Sequence, residues 1–155
     1  MGIADMKVAK NPEDTLITYS LGSCIGVTIY DPLTRVGGLL HFMLPDSQID
    51  PQKAENKPWM FADTGVPSLF REAYKLGAEK KRLQVKVAGG SHIMDGLGFF
   101  NIGKRNHLAL REIFRANGVL VSAEDIGGNG NRTLSIELSS GRVLVKTSRE
   151  EAKEL

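Results

Sequence analysis

The sequence predicts an α/β fold: a single domain in which a mixed, largely antiparallel sheet is covered by two main helices. Short runs of β-forming residues alternate with turn signals along the chain, which indicates seven or eight strands. Two longer segments place apolar residues at helical spacing. The 155 residues, of which 41% are hydrophobic and 25% charged, suit one domain with a sizeable core. The expected architecture over residues 1–155 is therefore a layered α/β sandwich.

Composition and charge argue against several classes of partner. The formal net charge is +2, from 20 basic and 18 acidic residues, so neither nucleic acid nor a charged membrane surface is expected to bind. The single cysteine, Cys24, excludes an internal disulfide and suits a reducing compartment. Residues 1–10 lack a signal-peptide core, and no apolar run reaches membrane-spanning length. The sequence therefore predicts a cytoplasmic protein without membrane insertion.

Four short strands are predicted in the first third of the chain, over residues 3–8, 15–20, 24–30 and 37–44. The last two flank the turn sequence at 31–35, in which Pro32 occupies a position that type I turns favour. They are therefore expected to pair as an antiparallel hairpin. The polar, turn-rich residues 45–57 predict an irregular connection.

Helical spacing predicts two helices, over residues 58–76 and 101–117, with Gly77 and Gly118 as stop signals and Asn101 as an N-cap. The other predicted elements are an alternating strand at 83–87, a strand beginning at 119–121, a loop at 125–131, a closing hairpin of 132–138 with 142–147, and a charged, solvated tail at 148–155.

The only cysteine lies at a break between two of the predicted strands. Gly22 and Ser23 interrupt an apolar run directly before Cys24, and Gly26 follows it. Glycine on both sides lets backbone or substrate approach the sulfur, and cysteine nucleophiles are often seated at such a bend. A lone cysteine among apolar neighbours is also typical of a small buried hydrophobe, and this stretch alone favours that interpretation.

The predicted hairpin brings Cys24 towards His41. If Tyr30 faces the region of Gly37, paired residue numbers have odd sums of about 65 to 67, and the two side chains share one face. Their Cβ atoms then lie roughly 5–8 Å apart, close enough for thiol and imidazole to meet. A slip of one residue would place them on opposite faces. Taken alone, His41 is more typical of a structural histidine, and its proximity to the cysteine makes the two interpretations comparable.

A cysteine–histidine pair supports nucleophilic chemistry on an acyl group. His41 would take the proton of Cys24, and the thiolate would attack the acyl carbon. Backbone N–H groups around Gly22 and Ser23 would stabilise the oxyanion, at roughly 3–4 kcal/mol for a well-placed donor.

Such a histidine needs a third group that orients its ring. Thr18, on the preceding strand, is a candidate, because its hydroxyl could bond one ring nitrogen of His41 and select the tautomer. Asp31 and Asp46 are rivals by residue type, although both lie in predicted turns.

Two glycine-containing segments suggest phosphate or anion binding. Residues 98–105 match a phosphate-binding loop as far as Lys104, but Arg105 stands where Ser or Thr should hold magnesium, so nucleotide binding is not expected. The loop at 127–131 could bind an anion through its N–H groups, but glycine and asparagine there are more typical of turns.

The histidines give little support for a metal site. His92 and Asp95 could bind a metal together with His41 or His107, but no paired spacing supports zinc. Surface or loop positions are the more typical interpretation of these residues. The sequence therefore predicts neither a metal nor a cofactor.

Several short motifs follow one another from about residue 15 to residue 147. They are Leu-Gly-Ser-Cys at 21–24, Tyr-Asp at 30–31, Gly-Gly-Leu-Leu-His-Phe-Met-Leu-Pro at 37–45, Gly-Gly at 89–90, Asn-Ile-Gly-Lys-Arg-Asn at 101–106, Asp-Ile-Gly-Gly at 125–128 with Arg132, and Gly-Arg-Val-Leu-Val-Lys at 141–146. This series resembles the chemoreceptor glutamine deamidase family CheD. One departure is Asn131, where the family more often has glycine, but asparagine tolerates the left-handed conformation.

The resemblance implies a cytoplasmic chemotaxis enzyme that converts glutamines of chemoreceptor helices to glutamate. Some members also hydrolyse glutamate methyl esters. The nucleophile, histidine and threonine of the family map onto Cys24, His41 and Thr18. The family also implies a CheC-type phosphatase as a regulatory partner, and a fold similar to that of the toxin deamidases of the cytotoxic necrotizing factor type.

Two alternatives to the deamidase stay open. The domain could be a regulatory binding module that sequesters or stimulates a phosphatase while the thiol of Cys24 is chemically idle. A cysteine protease or acyltransferase would use the same Cys24–His41 pair, but the other motifs do not support it. Deamidation also fits the residues directly, because a primary carboxamide needs only an activated nucleophile and a protonated exit for ammonia.

Overall fold

The computed structural model describes residues 1–92 and 101–155. The described strands are, in chain order, β1 (Asp5–Ala9), β2 (Thr15–Leu21), β3 (Ile25–Tyr30), β4 (Gly37–Phe42), β5 (Gln84–Gly89), β6 (Ala123–Ile126), β7 (Arg132–Glu137), β8 (Arg142–Thr147) and β9 (Lys153–Glu154). The described α-helices are α1 (Pro51–Asn56), α2 (Ala62–Lys75) and α3 (Ile102–Ala116), and short 3-10 helices span Ser47–Ile49, Pro58–Met60 and Lys80–Arg82.

The strands form two sheets. The large sheet has the order β1-β4-β3-β5-β6 and the small sheet the order β2-β7-β8-β9. Neighbouring strands are antiparallel, except that β5 and β6 run parallel. A parallel pair needs a crossover connection, and the chain between β5 and β6 contains α3.

The large sheet is the middle layer of the domain. One face packs against α2 and α3 through a core that includes Ile25, Val27 and Leu40. The opposite face packs against the small sheet, where Leu39 joins Leu134 in a second core. Every residue of β3 and β4 is buried for this reason, since both faces of these central strands are covered.

The predicted fold class is confirmed: the chain forms a layered α/β domain with mixed, largely antiparallel pairing and two main helices. The predicted β3–β4 hairpin and the closing β7–β8 hairpin are both present. The strands divide between two sheets rather than one, which lets the middle layer bury apolar residues on both faces. None of the helices in the described ranges is long and apolar enough to cross a membrane.

Four details of the prediction were wrong at the level of single elements. The connection at 45–57 contains a 3-10 helix and α1, which begins at Pro51 after the Asp50 cap. The helix at 58–76 is broken at Phe61, which makes a strand-like bridge with Leu44. Residues 119–121 are not a strand, since β6 begins at Ala123. The end of the predicted solvated tail pairs with β8 as β9.

Candidate active site

The register of the β3–β4 hairpin places the cysteine and the histidine on one side of the large sheet. Ile25 pairs with Phe42 and Gly26 with His41, so paired residue numbers sum to 67, an odd value within the predicted range. Cys24 directly precedes β3 and packs against the core between the two sheets. Leu39, two residues before His41 on β4, belongs to the same core. The predicted shared face is therefore confirmed by the register and the packing.

Thr18 contacts His41 across the space between the sheets. The Thr18 hydroxyl oxygen lies 2.8 Å from Nδ1 of His41, and both residues are fully buried, with 0% of their surface exposed. Thr18 lies on β2 of the small sheet, whereas His41 lies on β4 of the large sheet. The hydroxyl thus holds the imidazole in one orientation, as the sequence predicted. Neither Asp31 nor Asp46 makes this contact.

Burial sets the charge state of the imidazole. It lowers the pKa of His41 to about 4, because an apolar environment disfavours the charged ring. The carboxylate of Asp5, which lies opposite His41 on β1, raises this pKa, and the amine of Met1 lowers it. His41 is therefore neutral at pH 7. Its Nε2 is buried and has no hydrogen-bond partner within the described residues.

The contact with Thr18 is compatible with the tautomer that a general base needs. With its proton on Nδ1, the ring donates to the Thr18 hydroxyl and presents the lone pair of Nε2. This nitrogen is then able to accept a proton from a neighbouring acid. In this tautomer the arrangement would suit a general base whose other nitrogen is held by a hydroxyl.

A β-bulge in β2 directs Thr18 and Leu21 into the same core. Thr18 pairs with Leu134 and Leu21 with Arg132, so two residues of β2 oppose one residue of β7 at this point. Ser20, inside the bulge, has a φ of 61°, which is unusual for a residue other than glycine. Without the extra residue, side chains three positions apart would point to opposite faces of the strand.

The backbone that carries the thiol is anchored at three consecutive carbonyl groups. Each accepts a hydrogen bond from a different group: Gly22 from the amide of Ser91 at 2.8 Å, Ser23 from the Asn106 side chain at 3.0 Å, and Cys24 from the amide of Gly90 at 2.9 Å. The Gly22 amide donates to the Ser20 carbonyl at 3.0 Å. The peptide planes of this segment are thereby fixed.

Two glycines allow the close packing around this segment. At Gly89, φ is 118° and an added Cβ would lie 2.2 Å from the Cys24 carbonyl oxygen, so only glycine fits there. At Gly26, an added Cβ would lie 2.6 Å from a methyl group of Leu134. Glycine next to Cys24 was predicted to let backbone or substrate come close. At Gly26 the group that comes close is the side chain of the core residue Leu134.

A polar network around Arg132 supports the backbone of residues 22–24. The Arg132 guanidinium donates to the Ser91 hydroxyl at 2.8 Å and pairs with Asp125 at 3.1 Å. Burial by itself would raise the pKa of Asp125, but hydrogen bonds from Lys153 and Arg132 outweigh it and lower that pKa. Arg132 thus reaches the Gly22 carbonyl through Ser91.

Sequence reasoning gave no role to Asn106, Ser91 or Arg132. Asn106 and Arg132 belong to motifs that carried the family resemblance, but a polar residue in a helix or strand pattern reads as surface. The useful signal would have been position: Asn106 falls on the same helical face as the apolar Ile102 and Leu110.

The carboxylates of Asp31 and Asp46, the other candidates for orienting His41, make contacts elsewhere. Asp31 is bonded to Arg82 at the opposite end of β3 from Cys24, and Asp46 caps a 3-10 helix through the amide of Gln48. Neither is available to orient His41.

The other candidate binding residues do not gather around this site in the described part of the chain. His107 lies 3.3 Å from Glu124 at the surface. His92 is exposed. Asp95, its partner in the metal hypothesis, lies outside the described residues. So do the first residues of the phosphate-loop pattern at 98–105. In the loop at 127–131, the Gly127 amide donates to the Gly89 carbonyl, and Asn131 does not have a positive φ.

Comparison with known proteins identifies the family. The profile described as CheD chemotactic sensory transduction matches residues 43–147. A Syntrophus aciditrophicus protein, "Probable chemoreceptor glutamine deamidase CheD 1", is 52% identical over 155 residues, which cover 100% of this chain and 97% of the relative. The chain belongs to the CheD family. The CheD relative of Solibacter usitatus is 50% identical over 92% of this chain and 85% of its own length. The CheD 2 relative of Anaeromyxobacter dehalogenans is 47% identical over 95% of this chain and 92% of its own length.

The CheD relationship extends over the site. The profile match begins at residue 43, two residues after His41, but the alignment with the Syntrophus CheD relative spans the whole chain. It therefore includes Thr18, Cys24 and His41. The family predicted from the motifs is confirmed.

Proposed function

We propose that this CheD protein is a protein-glutamine deamidase that acts on chemoreceptors through Cys24. The observation that carries the proposal is the buried contact between Thr18 and His41, on the same side of the sheet as the cysteine. The relatives of highest identity reported above bear the name chemoreceptor glutamine deamidase, which supports the substrate class.

The reaction proceeds in two halves. Nε2 of His41 takes the thiol proton of Cys24, and the sulfur attacks the side-chain carbonyl carbon of a glutamine. The C–N bond then breaks, and ammonia leaves with the proton that His41 returns to it. The product of this half is a thioester between Cys24 and the former glutamine.

Water completes the cycle. His41 takes a proton from a water molecule, whose oxygen attacks the thioester carbon. The C–S bond breaks, the thiol of Cys24 recovers its proton, and the side chain leaves as glutamate. The Thr18 hydroxyl holds the Nδ1 proton throughout, so that the same nitrogen of His41 serves both halves.

A backbone amide stabilises the oxyanion that forms in each half. The Gly22 amide is engaged with the Ser20 carbonyl, so Gly22 acts through its anchored carbonyl rather than as a donor. The amide of Ser23 is the proposed donor. A well-placed donor contributes about 3 kcal/mol to transition-state stabilisation.

The proposed substrates are glutamines on the cytoplasmic helices of methyl-accepting chemoreceptors, in the cytoplasm. The same attack on a glutamate methyl ester would release methanol instead of ammonia, so we include receptor methylesterase activity in the proposal. A CheC-type phosphatase is the proposed regulatory partner. All of these activities are assigned to one domain, residues 1–155, with no metal or cofactor.

The test is the intact mass of a chemoreceptor cytoplasmic fragment before and after incubation, with peptide mapping. We expect a gain of about 1 Da at specific glutamines with the wild-type protein, and none with Cys24→Ala or His41→Ala. Circular dichroism of each variant controls for folding. Chain cleavage would indicate a protease instead. No gain with any receptor fragment, together with phosphatase binding that survives Cys24→Ala, would indicate the regulatory module.

A further inference from the structure

Asn106 is an amide in an otherwise apolar helix face. It is fully buried, and the α3 residues one turn before and after it on that face are Ile102 and Leu110. Burying a polar group in such a position costs free energy unless hydrogen bonds compensate for the lost contacts with water. The partners of Asn106 therefore indicate what the residue does.

Both donor hydrogens of Asn106 are used on backbone carbonyls. Nδ2 donates to Ser23 at 3.0 Å and to Met43 at 2.8 Å. Because carbonyl oxygens only accept, this orientation of the amide is the chemically consistent one. Oδ1 is buried without a hydrogen-bond partner within the described residues, which is unfavourable for stability. The two donated bonds, rather than the amide as a whole, account for the choice of residue.

We infer that Asn106 is a positioning residue for the nucleophile. Its side chain clamps the backbone next to Cys24 to the end of the strand that carries His41. The Ser23 carbonyl belongs to the peptide unit that ends at the Cys24 nitrogen. Met43 lies two residues after His41, just beyond β4. One side chain thus joins the backbone beside the nucleophile to the backbone beside the base.

The clamp also sets the direction of a backbone N–H bond. In a trans peptide the C=O and N–H bonds point in opposite directions, and the structure contains no cis peptide bond among the described residues. Holding the Ser23 carbonyl against Asn106 therefore directs the Cys24 N–H away from α3. The bonds from Ser91 and Gly90 hold the peptide units on either side, but not this one.

Loss of the clamp is expected to affect turnover more than substrate binding. Reactive geometry is sensitive, since a displacement of about 1 Å at the reacting atoms can cost about 10²-fold in rate. We expect Asn106→Ala to lower kcat by about 10- to 100-fold with KM changed less than about twofold. The reactivity of Cys24 towards iodoacetamide, relative to the urea-unfolded chain, is expected to fall at least about fivefold.

The experiment compares two variants with a matched control. Asn106→Ala removes the side chain, and Asn106→Asp keeps its volume while removing the two donors. Leu110→Ala, one turn along the same buried face of α3, truncates an apolar core side chain and removes no hydrogen bond to the Ser23 carbonyl. Deamidation kinetics, iodoacetamide rate constants and thermal melting are measured on all three, with rates corrected for the folded fraction.

The turnover readout rests on the proposed deamidase function, whereas the alkylation readout does not. Reduced kcat and reduced alkylation in both Asn106 variants, with Leu110→Ala like the wild type in both, would support the clamp. Wild-type kcat and alkylation in a folded Asn106 variant would overturn it, as would an equal loss in Leu110→Ala. If the wild-type protein deamidates no receptor fragment, the proposed function fails, and the alkylation comparison still decides the clamp.

Discussion

The hydroxyl of Thr18 and the imidazole of His41 lie 2.8 Å apart, although the strands that carry them belong to different sheets. No backbone ladder joins β2 to β4, so this side-chain contact spans the interface between the sheets. It is buried completely, and the second nitrogen of the ring has no hydrogen-bond partner among the described residues. The orientation of the base therefore depends on how the two sheets pack.

Replacing Thr18 with valine tests this dependence. Thr18→Val keeps the branched shape, but it leaves the buried Nδ1 proton of His41 without an acceptor, which costs about 1–3 kcal/mol of stability. The ring is then free to take the other tautomer, and we expect kcat to fall about 10- to 100-fold. Steady-state kinetics on a receptor fragment measure the effect. Thr18→Ser, which keeps the hydroxyl, should retain most of the rate, and equal losses in both variants would contradict the role of the hydroxyl.

The low pKa of His41 predicts the acid limb of the pH–rate profile. At pH 5 an imidazole with a pKa of about 4 is about nine-tenths neutral, whereas one with the ordinary pKa is only about 3% neutral. We expect kcat/KM to change little between pH 7 and pH 5 and to fall with a midpoint near 4. In Asp5→Asn, which removes the opposing negative charge, the limb should move to lower pH. A wild-type midpoint near 6.5 would contradict a buried neutral base.

The same pKa predicts how stability depends on pH. Between pH 6.5 and pH 4 the unfolded chain binds a proton at His41 that the folded chain does not, so stability falls as pH is lowered through this window. The expected loss is on the order of 3 kcal/mol. Asp31 and Asp125, whose pKa values are lowered, contribute mainly below about pH 4. Urea denaturation at pH 7 and pH 4.5 measures the loss, and His41→Gln should abolish most of it.

The ion pair of Asp31 with Arg82 is expected to serve stability alone. Burial would raise the pKa of Asp31, but hydrogen bonds from Arg82 and three backbone amides outweigh it and hold this pKa well below its usual value. Asp31→Asn should cost about 3 kcal/mol in urea denaturation, because it removes the buried charge partner of Arg82 and leaves only the exposed carboxylate of Glu79. Turnover per folded molecule should not change. Glu72→Gln, which breaks an exposed pair with Lys75, should cost less than about 1 kcal/mol.

The hairpin that carries the site could be predicted because its signals are local. A proline turn between two apolar runs predicts the hairpin, and the structure supplies the register that brings Cys24 and His41 to one face. The bulge at Ser20 could not be predicted, since one extra residue leaves no mark in the local pattern. Thr18 was therefore a candidate by residue type and by the family resemblance, and the fold gives the physical reason for its contact with His41.

Other errors have the same origin in tertiary context. The apolar residues 119–121 read as a strand, yet Leu120 is 86% exposed and the pairing with β5 starts at Ala123. Phe61 fits the helical spacing of 58–76, but a bridge to Leu44 holds it in an extended conformation. The role of Asn106 could not be predicted because its partners, two backbone carbonyls, lie 83 and 63 residues away in sequence.

Because its base and the group that orients it come from different sheets, the proposed catalytic centre exists only while the sandwich is closed. Partial opening that separates the small sheet from the middle layer removes Thr18 from His41 while leaving the β3–β4 hairpin intact. A molecule opened in this way would therefore lose most of its turnover while it kept its secondary structure.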